Sequence, residues 1–428
     1  MTHSTRTKLF WLFLALFIIG GVGTIYYSQG YRVDLQNFSV TKTGALHIQS
    51  TPRDVQIFLN DKPYKDKSSL LRRGTFVSNI LPKEYRVLIT KEGYRDYEKY
   101  VTVKPAEVVR LLNVILVPKD ITHTPLIEGV PQGTIVSLNQ DIALIKDAQD
   151  VYYECSLTKL TTCTNLSSLL RTLLKETPTR LISYPQEAGV YIATTSRGVY
   201  RVHTQKNEVT PIFSYTPDAL IYQNNNLYTL TSLPQDSTST STPQTPQSDI
   251  TVYDLSLSTV AQQYPLSLSV DQIETILPGT NAIAILLTNG SLLLHHPDGT
   301  LTPIAHSAQS AVFSPDQKKL LFQDRDKKTF VYFLEDDILS LNKQKGDTMP
   351  LEIVNIAQTH ALEWYDAYHI LITYQNGDVV LAEVDAHRPN NHFTLIKESP
   401  TTYFSPTSKT LYTITQDNIL TEHQLTLP

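Results

Sequence analysis

At 428 residues the chain is too long for one ordinary core and asks for two or three units. Its formal charge of −5 comes without a basic patch, which argues against a nucleic-acid partner. Only 18% of residues are charged while Tyr numbers 24, a balance that suits half-buried strands and excludes coiled coils.

The N-terminus differs from everything after it. "LFWLFLALFIIGGVGTIYY" (9–27) is uncharged, apolar and long enough for a helix to cross a bilayer. Arg6 and Lys8 precede it, and Tyr26 and Tyr27 sit at interfacial depth. The positive side stays cytoplasmic, so the reading is a tail (1–8), a signal-anchor (9–27) and an extracytoplasmic remainder at the cell membrane. A cleaved signal peptide is the competing reading. The long apolar stretch, the lack of a clean A-x-A site and the lack of a lipobox cysteine favour the anchor.

A polar stalk (28–43) leads to 44–118, where "ALHIQS", "VQIFLN", "YRVLIT" and "YEKYVTV" alternate apolar and polar residues as half-buried strands do. "NDK" and "KEG" supply turns, and a small antiparallel β-domain is expected. The order Gly44-Ala45-Leu46, Ile48, Ser50, Pro52, then Asn60-Asp61-Lys62, Leu81-Pro82, Tyr85, Val87 and Lys91-Glu92-Gly93-Tyr94, Tyr97 resembles the PEGA domain. The eponymous P-E-G-A appears as Pro52-Arg53-Asp54-Val55, and Glu84 stands where a glycine is usual. The resemblance implies a surface-exposed accessory β-sandwich of a bacterial or archaeal envelope protein, and no catalytic residues.

The two cysteines, Cys155 and Cys163, lie equidistant from a turn near 158–160. That spacing puts them opposite each other on a hairpin, where a disulfide is geometrically allowed and an oxidising exterior favours it. Two separate small buried hydrophobes are the alternative. Zinc is disfavoured because further ligands are lacking.

From 120 to 428, strand openings recur at "TIVSL" (134), "LISYP" (181), "ALIYQ" (219), "ETILPG" (274), "AVFSP" (311), "ALEWYDA" (361) and "TYFSP" (402). The interval is that of a four-stranded propeller blade, giving seven blades, with six or eight as neighbouring counts. "TNGS", "PDGT" and "QNGD" read as tight hairpin turns whose Asn-Gly and Asp-Gly tolerate positive φ. Residues 234–249 carry nothing apolar to bury and are expected to form a disordered loop. "ILTEHQL" looks like the third strand of the last blade, to be completed by "TPLIEGV" (124–130). The texture of Phe313-Ser314-Pro315-Asp316-x-Lys318-Lys319-Leu320 resembles WD40-like and TolB-like propellers. The fold class is therefore all-β: a helix, a PEGA-like sandwich and a propeller.

Chemistry is sparse. Nucleotide-binding, zincin and nucleophile-elbow motifs are missing. His295 and His296 point to opposite strand faces and, with His306, read as surface histidines by the "PDGT" turn. His387 and His392 flank "RPNN" with no carboxylate at ligand spacing. Asp324 and Asp326 read as a charged turn, since the glycine and closing glutamate of a calcium loop are missing. Lys62, Lys65, Lys67, Arg72 and Arg73 make the first domain locally basic, as a solvated loop or as a contact for anionic polymer or lipid. Ser314-Pro315-Asp316 reads as a turn, with Lys318 and Lys319 facing water and Phe313 in the core.

No catalytic, cofactor-binding or metal residue is expected, and no cofactor. The reading is an anchored binding or scaffolding protein of the envelope, its protein or polysaccharide partner held on a propeller end face. The rivals are a propeller hydrolase or lyase with a site in the central funnel, and the sensor half of a membrane complex.

Overall fold

The computed structural model describes residues 3–34, 39–65, 74–138, 142–157, 163–184, 186–233, 248–399 and 401–425, apart from the side chains of 3–7 and 34. The apolar run lies within one helix, His3–Ser28. Its stretch Lys8–Ser28 has the length and hydropathy of a membrane span, and none of it is buried against protein. The stalk is a hairpin of Tyr31–Asp34 with Ser39–Lys42, tied to the helix end by Arg32 lying 3.5 Å over the Tyr27 ring.

The next unit is a two-layer sandwich. Gly44–Thr51 lies between Thr75–Ile80 and Val108–Ile115 in one sheet. The other sheet runs Lys62–Lys65, Gln56–Leu59, Glu84–Thr90, Tyr97–Thr102. Alternate residues, among them Leu46, Ile48, Ile57, Val87, Ile89 and Val101, meet in one core. The domain is not wholly antiparallel, because Gly44–Thr51 pairs in parallel with Val108–Ile115. In the degenerate P-E-G-A, Asp54 occupies the glycine position at φ 58, a left-handed conformation that aspartate adopts more readily than most residues.

Seven four-stranded antiparallel sheets follow among the described residues. Their first strands are Gly133–Leu138, Arg180–Ser183, Ala219–Gln223, Ile273–Pro278, Ala308–Phe313, Thr359–Trp364 and Thr401–Ser405. Each predicted opening falls on one of these strands. His123–Glu128 pairs with Ile419–Gln424, so the seventh sheet joins the start of the domain to its end. The Thr401 hydroxyl donates to the Gly133 carbonyl at 3.0 Å, linking the seventh blade to the first. The strand from the start of the domain thus completes the outer edge of the last blade and ties the ring shut.

Several details depart from expectation. A helix, Leu166–Leu174, follows the first blade, capped by Asn165 accepting from the Ser168 amide at 3.0 Å. It buries Leu166 and Leu170 against Leu144, Leu181 and Tyr191, so the Leu spacing in "NLSSLLRTLL" was a helical signal. In the Asn-Gly and Asp-Gly turns only Gly290, Gly299 and Gly377 take positive φ. Asn289, Asp298 and Asn376 instead accept from the amide two residues on, as Asx turns do. Ser248 and Asp249, placed in the disordered loop, begin the strand Ser248–Asp254, and the rest of that loop lies outside the described residues.

Candidate functional site

Up-and-down strands put the first-to-second and third-to-fourth connections of every blade at the same end of the ring. The sandwich docks on that end. It meets the fifth blade at Ser340 and Leu341, the sixth at Tyr365–Tyr368 and Glu383–Asn391, and the seventh at Lys409.

The junction is polar and buried. Lys99, on the same strand face as core residues Tyr97 and Val101, is fully buried. Its ammonium lies 2.5 Å from Glu383 and 3.3 Å from Asp385 and donates to the His387 carbonyl at 2.8 Å. The Tyr97 hydroxyl donates to Glu383 at 3.0 Å, and the Asn391 amide donates to the same carboxylate at 2.6 Å. Burial pushes the Tyr97 hydroxyl well above the ordinary tyrosine range, reinforced by Glu383 and Asp385. For Asp385, burial pushes upward, but the His387 hydrogen bond and the Lys99 charge outweigh it and hold the carboxyl at about 2. Phe393 packs against both the sandwich core and the core between the sixth and seventh blades. A buried charge with every partner in place locks two domains together.

The fourth and fifth blades leave a cleft of about 400 Å³ on the same end, beside the sandwich. His296 lines it, bonded to the Thr302 hydroxyl at 3.0 Å, with Asn281, Gln317, Tyr332, Glu335 and Lys345. Between the third and fourth blades lies a second cavity of about 170 Å³, lined by His295. Thr280 and Ala282 contribute to both. Gly279 keeps this loop thin, since a Cβ there would come within 2.7 Å of the Ala282 oxygen and 3.0 Å of the Phe313 ring.

In the bore, burial raises the Tyr403 hydroxyl on the seventh inner strand above the ordinary tyrosine range, with a smaller contribution from the charge of Glu363 on the sixth. Crowding by the neighbouring inner strands raises the Glu363 carboxyl above its usual range, although its side chain is exposed to solvent.

The residues singled out from sequence fall as follows. Cys155 and Cys163 face each other in register and are joined by a disulfide. His295 and His296 do point to opposite faces, but His295 is 2% exposed and not on the surface: its strand lies inside the sheet, with a blade against each face. His306 sits at the opposite end of the inner strand from Ser314, about 26 Å away by strand rise, so the two form no catalytic pair. Ser314 is a turn residue, donating to Asp316 at 2.6 Å and accepting from the Lys319 amide at 2.9 Å. Lys318 is exposed and pairs with Glu335 at 2.9 Å. Lys319 does not face water: it is 1% exposed, 3.1 Å from Asp337 and over the Tyr368 ring. It begins the second strand of the fifth blade, Lys319–Asp324, whose two faces are both covered by neighbouring blades.

Asp324 accepts from the Lys328 amide at 2.8 Å in its turn. The loop at His387 does hold a carboxylate, since Asp385 bonds its imidazole at 2.8 Å. Lys62 and Lys65 are exposed on an edge strand, and Lys67, Arg72 and Arg73 lie outside the described residues. Among the described residues no group of three or more His, Cys, Asp or Glu is arranged to hold a metal. The lock was missed in the sequence, where its signal was a lysine in register with Tyr97 and Val101 on a core-facing strand.

Residues 43–118 match the PEGA domain family. No curated protein matches the chain. Among solved structures it is similar to PorZ, described as an essential surface component of the type-IX secretion system of Porphyromonas gingivalis, at 12% identity and TM-score 0.42. That match covers 70% of this chain and 37% of PorZ. The computationally designed Ika8 protein matches at 8% identity and TM-score 0.38, over 70% of this chain and 99% of its own. Hsv2p of Kluyveromyces lactis matches at 10% identity and TM-score 0.40, over 78% and 92%. The propeller assignment rests on the strand pairing itself.

Proposed function

We propose that the protein is a membrane-anchored, extracytoplasmic binding or scaffolding protein, presenting the end face that carries the PEGA domain to an envelope component. One observation carries this reading. The locked sandwich covers the fifth to seventh blades of one end and leaves the 400 Å³ cleft between the fourth and fifth open beside it. A rigid ring with a concave, mixed polar and aromatic mouth is built for binding. The exposed apolar helix Lys8–Ser28 supplies the anchor. Lys345 and Glu335 at the rim give the cleft both charges, which suits a protein or polymer surface.

A photo-crosslinking amino acid placed at Asn281 and at Lys345 tests the face, with Asn289 and Asp326 at the opposite end as controls. The same adduct from both end-face positions, and from neither control, is the expected result. Equal adducts from all four, or none from Asn281 and Lys345, would sink the assignment. For the anchor, the protein should stay with membranes through alkaline carbonate and be digested by protease added to intact cells.

A further inference from the structure

The cavity between the third and fourth blades has chemistry that its neighbours lack. His295 forms part of its wall and is 2% exposed, yet neither ring nitrogen has a hydrogen-bond partner. A buried polar group without a partner is costly, so one in the wall of a cavity marks a place where a partner belongs. Burial, with His296 adding to it, lowers the pKa of His295 and keeps the ring neutral, with one nitrogen donating and the other accepting.

The other lining groups are neutral as well. Asn226, Gln262, Tyr228 and Tyr264 line it, and the Tyr264 ring stands edge-on to His295 at 5.4 Å. Thr280 adds a hydroxyl at the exposed mouth. Among the described residues no charged side chain lines the cavity. An anion would find no cation there, and a metal ion would find one imidazole and no carboxylate. What fits is an uncharged molecule whose hydroxyls both donate and accept and whose C–H faces lie against aromatic rings. The volume of about 170 Å³ is far more than a single water needs and admits one sugar ring.

We propose that this cavity binds one neutral sugar residue, with His295 as the buried hydrogen-bonding group and Gln262 and Thr280 at the mouth. A longer glycan would leave through that mouth onto the same end face as the blade 4–5 cleft. The proposal deepens the end-face reading but is tested apart from it, because crosslinking at Asn281 and Lys345 reports a partner whether or not a sugar enters.

The experiment uses the full chain in lipid nanodiscs, without glycoside detergents. D-glucose, D-galactose, D-mannose and N-acetyl-D-glucosamine are titrated by calorimetry and by saturation-transfer NMR. At least one should bind saturably, with its ring protons receiving saturation. Gln262→Ala, on the exposed rim and away from the core, should weaken that sugar roughly tenfold, and His295→Phe should abolish it. No saturable binding by any of the four would overturn the proposal. So would binding that survives Gln262→Ala unchanged, or zinc or inorganic phosphate binding that the same two variants remove.

Discussion

Two buried polar places share one end of the propeller and differ in what surrounds them. At the junction, Lys99 is fully buried with two carboxylates and a carbonyl within reach. Between the third and fourth blades, His295 has a cavity and no partner. The first is polar burial used to fix one arrangement of two domains; the second is polar burial left for something else to complete. The same low dielectric that strengthens a satisfied network makes an unsatisfied group costly.

Breaking the lock should produce the largest effect. Lys99→Met leaves Glu383 and Asp385 buried without their cation, and about 3–5 kcal/mol of stability should be lost in chemical denaturation. An unchanged midpoint would mean that the junction holds the domains only by apolar contact. The junction should also fail in acid. Asp385 sits at about 2 in the folded state, below its ordinary value, so its contribution is present above that ordinary value and lost as pH falls through about 2. Domain release under that titration, followed by scattering, should shift its midpoint in Asp385→Asn, where Glu383 alone remains to pair with Lys99.

Lys319→Met is the intermediate case, because its carboxylate partners are less deeply buried than those of Lys99. A loss of about 1–3 kcal/mol is expected by thermal denaturation. His295→Phe should move stability by only about 1 kcal/mol in either direction, since it replaces an unpartnered group with an apolar ring. A loss as large as that of Lys99→Met would erase the contrast and make His295 a structural residue. Smallest of all, Lys318→Ala should stay within about 0.5 kcal/mol, as an exposed ion pair does.

Much of the architecture could be read from residues alone. Local pattern carries it: period-two alternation marks strands, glycine-bearing turns mark hairpins, and recurrence of strand openings sets the blade count. Even the closing strand His123–Glu128 was legible, because "TPLIEGV" reads as a strand ahead of the first blade and "ILTEHQL" as the third strand of the last. The leucines of the helix after the first blade were equally readable and were passed over among strands.

Which polar residues would be buried was decided by packing. Lys318 and Lys319 are adjacent and chemically identical, yet one is solvated and the other sealed against Tyr368. His295 and His296 are adjacent too, and each lines a different cavity. A strand in the middle of a blade has no solvent face, so alternation tells which side a residue takes and not whether water lies there. That depends on the neighbouring blade and on the sandwich docked across the end, contacts made between residues up to nearly three hundred positions apart. Local sequence therefore determined the strands, their turns and their number. Only the closed ring, with its second domain seated on it, decided where a charge is locked and where a cavity is left.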